Sequence, residues 1–530
     1  MSERLAQIWM WAWKWSSVTL DSRPVQRAGG LATAAADRGW SLLAEGLRRL
    51  PKSARWTPAL LGAAWAQPLL RRMQRAQVYR AYRDALRRVP AYRAFAAEHG
   101  RAPVRSSRDL AALPVTDKRS YVARYPLSQR CVGGRLPRAG VIDQSSGSSG
   151  APNLWVRGWP ERAATLESMR FHFGLVFTRP PYVLVNCFAP GVWATGMTVS
   201  AALGACGLLE TVGTDSEKLD QTLRQLGPGH RYVLFGYPPF LKRWLATTAL
   251  DLSGYHLEAV VGGEGMSEAL RASLEQTFAR VVSSYGASDL EINIGTETEL
   301  TRALRQRCAA DPQLSRALFG TAAPPMIFQY NPLEYRIETN RDGELLFTVC
   351  RAGLAAPKLR YNLHDQGGVL TVGGLRARLA ERGIDLGGLA ARCAHLPIVY
   401  VGGRSDASVA FYGAKVTPAD IDQAIHADPA LAAQVRSFQL RVDEQADLSR
   451  TLVIALEQQR DGAPLAAAAL AGPLQRRLAA VNQDFRAIQN TAGSAPVRVE
   501  VYACGSGPFA TYDARLKHRY VAPGLQERAA

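Results

Sequence analysis

An α/β fold is what these 530 residues predict: a large N-terminal unit of mixed and parallel sheets, followed by a small C-terminal α/β domain. Three observations carry the expectation. Between 140 and 370, short β-branched or aromatic runs alternate with segments of helical apolar spacing, the pattern of parallel strands joined by helices. Around 344–349 and 368–372 the pattern turns to β-hairpins. After Gly402-Gly403-Arg404-Ser405-Asp406 a second, shorter series begins, about the smallest that can bury a core of its own.

Taken in order, residues 1–75 read as a basic extension. Trp9, Trp11, Trp13 and Trp15 lie near its start, and Arg48, Arg49, Lys52, Arg55, Arg71, Arg72 and Arg75 follow. Amphipathic helices of this kind either touch a membrane face or dock on the main body. A helix is expected over 78–99, interrupted at Pro90, and a loop-and-helix stretch over 104–126 contains Leu113-Pro114-Val115-Thr116-Asp117-Lys118. Strands are expected at 182–187, 232–235, 259–261 and 281–283, with helices at 160–174, 216–225, 238–248 and 267–277. The boundary is set at 403–406, so the large unit covers 76–403 and the small one 404–530. In the latter, helices at 418–426 and 473–483 accompany strands at 435–442, 451–456 and 497–502.

Composition narrows the function. With 47% hydrophobic and 21% charged residues the chain reads as globular, and it holds no uncharged apolar run of the ~18 residues a spanning helix needs. The N-terminus lacks the pattern of a secretory signal, since Glu3, Arg4 and Lys14 interrupt it. The seven cysteines are scattered with no Cys-x-x-Cys pair, which argues against zinc or a disulfide framework and for reduced thiols in the cytoplasm. The net charge of +19 comes with only eight lysines, and the arginines are spread along the whole chain. Without a basic block or an RNA- or DNA-binding signature, nucleic acid is not the expected partner. Nucleotides, anionic acyl substrates or a negative membrane face gain more from such a field.

The most telling local feature is Ser145-Ser146-Gly147-Ser148-Ser149-Gly150, followed by Ala151-Pro152. Small residues with free backbone N–H groups and hydroxyls cannot build a core but can wrap a polyanion such as a triphosphate. Strand-like residues on both sides suit the tip of a hairpin, composition alone suits a flexible Gly/Ser linker equally, and the run lacks the Gly-Lys-Ser/Thr ending of a Walker loop. Gly262-Gly263-Glu264, Ser283-Ser284-Tyr285-Gly286-Ala287-Ser288-Asp289, Leu359-Arg360-Tyr361-Asn362-Leu363-His364-Asp365, and Gly403-Arg404-Ser405-Asp406 with Gly413-Ala414-Lys415 follow in order.

This series resembles the adenylate-forming superfamily of acyl-CoA synthetases and adenylation domains, over about 78–522. The branch it looks most like is the phenylacetate–CoA ligase and CapK-like group. The resemblance implies an acid activated by ATP with Mg²⁺, then captured by CoA, a carrier-protein pantetheine or an amine. It places Ser145 to Gly150 on the β- and γ-phosphates, with Asn153 where relatives carry Thr or Lys. Ser284, Tyr285 and Gly286 fall at the adenine, Asp365 at the ribose hydroxyls, Arg404 at the ribose or phosphate, and Asp406 at the hinge. Asp289 takes the place of a Mg²⁺-binding Glu one methylene longer, and Glu291 is the alternative ligand. Lys517, near the C-terminus, matches the lysine that bridges carboxylate and α-phosphate, although the glycine relatives place before it is absent. Lys415 matches a hairpin that faces the site at the thioester stage. Tyr237, Gly262, Gly263 and Glu264 fall at the acid pocket, whose aromatic content suits an aryl or arylalkyl acid. The competing reading is a non-catalytic, membrane-peripheral biosynthetic scaffold of the same descent.

Overall fold

The computed structural model describes residues 28–48, 60–99, 104–145, 153–190, 194–263, 265–321, 324–384, 394–404, 408–445, 449–460, 464–491 and 496–510. Strands β1 (Gly140–Ser145) and β2 (Asn153–Gly158) form an antiparallel hairpin that stands apart from the main sheet. That sheet has eleven strands: β3 (Val183–Asn186), β4 (Leu208–Thr211), β5 (Arg231–Gly236), β6 (His256–Val261), β7 (Arg280–Ala287), β8 (Glu291–Thr296), β9 (Met326–Tyr330), β10 (Tyr335–Thr339), β11 (Glu344–Val349), β12 (Tyr361–Leu370) and β13 (Ile398–Arg404). Their order across the sheet is β10-β11-β12-β13-β9-β8-β7-β6-β5-β3-β4.

One half of the sheet is parallel and the other antiparallel. β4, β3, β5, β6 and β7 run parallel; β4 is an exposed edge, but the inner strands are buried between helices, which is why β5 reads as the unbroken apolar run Tyr232-Val233-Leu234-Phe235. Helix Trp159–Val176 and helix Ala194–Leu203 cover one face through Met169, Phe173, Val199 and Leu203. Leu219, Leu241, Trp244 and Leu270 cover the other. The chain reverses its winding at β3 and β5, because β3 leads to β4 on one side and β5 returns on the other. Ligands of open α/β sheets bind in the crevice such a reversal leaves beyond the carboxyl ends of the strands.

The local signals that form helices are visible in the sequence. Pro160, Pro238, Pro312, Pro418 and Pro429 sit in first turns, where a missing N–H costs no hydrogen bond. Thr417 and Asp420 make a reciprocal capping box at helix Pro418–His426. Three expectations need correction. The 368–372 hairpin ends at Leu370, because Thr371 accepts a hydrogen bond from the Gly374 amide and starts helix Val372–Ala380. Helix 473–483 is instead Ala467–Val481, its alanine-rich start lying ahead of an internal Pro473. Residue 75 falls inside helix Gln67–Arg88, so no structural break occurs there.

Of the extension, helix Ala28–Arg48 packs on Gln67–Arg88, where Ser41 Oγ donates to Gln77 Oε1 at 3.1 Å. Gln74 then donates to the Tyr335 carbonyl at 2.8 Å, fastening the pair to the antiparallel half of the sheet. Trp9, Trp11, Trp13 and Trp15 lie outside the described residues. No helix among the described residues is long and apolar enough to cross a membrane.

After β13 come the small hairpin β14 (Val409–Phe411) and β15 (Ala414–Val416), then a three-stranded sheet of β16 (Val435–Glu444), β17 (Arg450–Gln458) and β18 (Val497–Tyr502). Phe411, Ile421, Leu440, Ile454, Leu474 and Phe485 share one core there. Arg450 Nη2 donates to the Gly265 carbonyl at 2.9 Å, and Ser267 Oγ to Glu444 Oε1 at 3.0 Å, joining this part to the loop after β6.

Candidate active site

Ser145 is the last residue of β1 and pairs with Asn153 across the hairpin. Its hydroxyl accepts a hydrogen bond from Trp155 Nε1 at 2.8 Å, which fixes the stalk of the Ser/Gly loop. Ser146, Gly147, Ser148, Ser149 and Gly150 lie outside the described residues. The stalk is locked further by Arg157, which no local motif marks in the sequence. Its guanidinium pairs with Asp143 at 2.6 Å across the hairpin and donates to the carbonyls of Ser288 at 2.7 Å and Leu290 at 2.5 Å. Burial alone would make Arg157 less basic, but Glu291, Glu161 and Asp143 outweigh it and hold it above the ordinary arginine range.

Those two carbonyls flank Asp289, so one buried cation ties the β1–β2 hairpin to the turn between β7 and β8. Asp289 is also held from the side: Lys118 Nζ stands 3.1 Å from its carboxylate, and Tyr361 Oη donates to it at 3.2 Å. Lys118 opens the short helix Lys118–Val122, capped by the Asp117 side chain on the Ser120 amide at 2.5 Å. In the sequence it closes the segment Leu113-Pro114-Val115-Thr116-Asp117-Lys118, with no role attached.

Glu291, the alternative metal ligand, does not qualify. It is fully buried, paired with Arg351, and accepts from Thr165 Oγ1 at 2.6 Å, so its oxygens belong to an internal network with Arg157. No group of three or more His, Cys, Asp or Glu that could hold a metal occurs among the described residues. Mg²⁺ commonly needs only one or two carboxylates when phosphates and water complete its shell. Asp289 is a carboxylate in the lining of the cavity described below, with the Lys118 ammonium beside it.

Gly286 is required by close approach: a β-carbon there would fall 1.9 Å from the Ile292 carbonyl oxygen. Tyr285, next to it, stacks its ring on Phe328 with centroids 5.4 Å apart and donates its hydroxyl to Asp365 Oδ2 at 2.5 Å. Asp365 in turn lies directly opposite Arg404 in the β12–β13 register. Three segments widely separated in sequence thus meet. Asp406 lies outside the described residues, as do Glu264 and Lys517.

A cavity of about 230 Å³ opens at the reversal of the sheet, lined by Ser145, Ser284, Gly286 and Asp289 from one side and Lys415 from the other. Lys118, Gly262, Gly263 and Tyr237 also line it. The Tyr237 ring is pressed between two glycines at positive φ: a β-carbon on Gly263 would come 2.6 Å from it, and one on Gly413 3.0 Å. Lys415, on β15, is positioned by the donation of Asn482 Nδ2 to its own carbonyl at 2.9 Å. Asp365 does not line the cavity itself but is one hydrogen bond from Tyr285, beside cavity-lining Gly286.

Lys358, likewise unremarked in the sequence, rests its ammonium 4.1 Å from the centre of the Trp155 ring and 5.6 Å from that of Tyr361. Burial, with Arg157 and Arg130 nearby, pushes its pKa down to about 7.

No family model matches the chain, and no curated protein sequence does. Solved structures do match. A 2-hydroxyisobutyryl-CoA ligase in complex with 2-HIB-AMP and CoA, in the thioesterification state, aligns with a TM-score of 0.62 at 14% identity, over 88% of this chain and 93% of that one. The chain has the adenylate-forming ligase fold. An open conformation of the same 2-hydroxyisobutyryl-CoA ligase, with the same two ligands, aligns with a TM-score of 0.50 at 15% identity, over 86% of this chain and 92% of that one. At such identities the likeness to 2-hydroxyisobutyryl-CoA ligase is one of architecture.

Proposed function

We propose that the chain is an ATP-dependent carboxylic acid ligase that forms an acyl adenylate and passes the acyl group to a thiol, of CoA or of a carrier-protein pantetheine. One observation carries the reading: Ser145, Ser284, Gly286, Asp289 and Lys415, scattered over some 270 residues, face a single cavity at the reversal of an α/β sheet. A carboxylate is a poor electrophile. Its oxygen attacks the α-phosphorus, the bond to the β-phosphate breaks, and pyrophosphate leaves; the thiol sulfur then attacks the acyl carbon, AMP departs, and the thiol proton passes to solvent.

The protein's part is alignment and charge neutralisation. Lys118 and Lys415 bring positive charge to the cavity, and Ser145 opens the loop proposed to hold the β- and γ-phosphates. Asp365, held by Tyr285, is proposed to take the ribose hydroxyls, and Lys517 to bridge carboxylate and α-phosphate in the first half-reaction. Asp289 would hold Mg²⁺, which when bound supplies charge neutralisation on the phosphates. The arrangement with Lys415 in the cavity suits the second half-reaction. In keeping with this, the likeness to 2-hydroxyisobutyryl-CoA ligase is greater for its thioesterification state, at 0.62, than for its open state, at 0.50.

The phenylacetate–CoA ligase and CapK-like branch, a cytoplasmic location and a membrane contact through residues 1–75 belong to the same proposal. An amine acceptor is the second reading of the transfer step. The test is acid-dependent ATP–pyrophosphate exchange across a panel of acids, followed by thioester formation with CoA. Exchange abolished by Asp365→Ala and Lys517→Ala supports the ligase. A protein that binds liposomes but exchanges nothing is the scaffold instead.

A further inference from the structure

Below its polar mouth the cavity continues as an apolar channel between the sheet and two helices. On helix Trp159–Val176 the lining positions Met169, Phe173 and Val176 recur at one-turn spacing; on helix Ala194–Leu203 they are Thr195, Val199 and Leu203. At 1.5 Å rise per residue these stretches span ~10 and ~12 Å. Both helices run from the carboxyl ends of the parallel strands towards their amino ends, since each lies between the site and the start of a strand, β3 or β4. The channel therefore has a direction. Tyr237, Gly262 and Ser284 stand at its mouth, and Val176 and Leu203 at its floor. Polar side chains in the lining beyond the charged residues include Asn293 and Thr296 of β8, Thr195, and His172, whose Nδ1 donates to the Ser168 carbonyl at 2.9 Å within its own helix.

We infer that the acid this protein activates carries an extended, unbranched apolar tail of about eight carbons. The inference rests on the ligase reading and names its substrate class. Polar groups gather where the carboxylate must meet ATP, and the walls leading away from them are the buried Met169, Phe173, Val199 and Leu203, with Phe235 of β5. A zigzag alkyl chain with C–C bonds of about 1.5 Å covers ~10 Å in roughly eight bonds. Each methylene moved from water into such walls is worth roughly fourfold in kcat/KM until the floor is reached. Beyond that point Leu203, in a close-packed core, would have to move, and activity falls.

The experiment is acid-dependent pyrophosphate exchange by the full chain with straight-chain acids from acetate to tetradecanoate, and with phenylacetate. The expected profile climbs roughly fourfold per methylene to an optimum near eight to ten carbons. Leu203→Trp, which fills the floor, is expected to shift that optimum shorter by two carbons or more. A flat profile, an optimum at four carbons or fewer, or a preference for phenylacetate over octanoate overturns the inference and leaves the ligase reading standing. Should no acid support exchange, calorimetric binding of the free acids decides separately. Affinity that grows with chain length upholds the channel while removing the ligase, and affinity indifferent to length removes the channel.

Discussion

The ring of Tyr237 lies so close to the α-carbon of Gly413 that a β-carbon added there would stand 3.0 Å from it. Tyr237 follows β5 of the large sheet, and Gly413 turns the hairpin that brings Lys415 to the cavity. At φ +88° Gly413 also adopts a backbone that L side chains resist. Gly413→Ala is therefore expected to hinder seating of this hairpin by roughly 1–2 kcal/mol. Thioester formation should fall about five- to thirty-fold, while pyrophosphate exchange changes less than threefold. Measuring both half-reactions on the purified variant checks this, and equal losses in the two would contradict it.

Arg157 holds Asp143, the carbonyls on both sides of Asp289, and the neighbourhood of Glu161 and Glu291. Replacing it with methionine strands buried carboxylates and should destabilise the protein by ~3–5 kcal/mol. Urea unfolding of Arg157→Met, with Arg157→Lys as the milder change, reads this directly. A midpoint within error of the wild type would remove Arg157 from the scaffold of the site.

Lys118 and Asp289, 3.1 Å apart, are expected to act as a pair. Lys118→Met and Asp289→Asn should each lower pyrophosphate exchange at least tenfold, and the double variant should lose less than the product of the two. A coupling of ~1–3 kcal/mol is the anticipated size for groups in direct contact. Strict additivity in the double-mutant cycle would mean that the two carry separate roles.

Lys358 gives a pH signature. Between about 7 and its ordinary 10.5, its amine is uncharged in the fold and charged in the unfolded chain. The unfolded state then binds more protons, so this group makes stability rise with pH across that window and contributes no slope below it. Lys358→Met should abolish that contribution. Denaturant titrations of both proteins at pH 7 and pH 9 test it: the wild type should gain on the variant at the higher pH, and parallel behaviour would show the ammonium to be well solvated.

Much of this architecture could be read from residue order. Helix Pro418–His426 and strand Val497–Tyr502 fall at their expected bounds, since Thr417, Pro418 and Asp420 announce a helix start and β-branched alternation announces the strand. Asp365, Tyr285 and Gly286 were recognisable because their neighbours spell local motifs. Lys118, Arg157 and Lys358 were not, because what gives each its importance is a partner or ring far away in sequence: Asp289, Leu290 and, for Lys358, the Trp155 ring. Glu291 shows the reverse. Its position two residues beyond Asp289 made it a plausible ligand, and only burial beside Arg351 decides otherwise. Pro473 misled in a third way, since a proline that often starts a helix here sits within one.

The spread of the candidate site over separate strands has an evolutionary corollary. Tyr285, Asp365 and the Arg404 backbone are carried by β7, β12 and β13, whereas the walls proposed to hold the acid's tail belong to β5 and the helices around β3. On the proposed function, mutations that reshape the greasy tunnel need not disturb the residues proposed to grip adenosine, so such a scaffold could diversify its repertoire of acids while its energy-coupling chemistry is inherited intact.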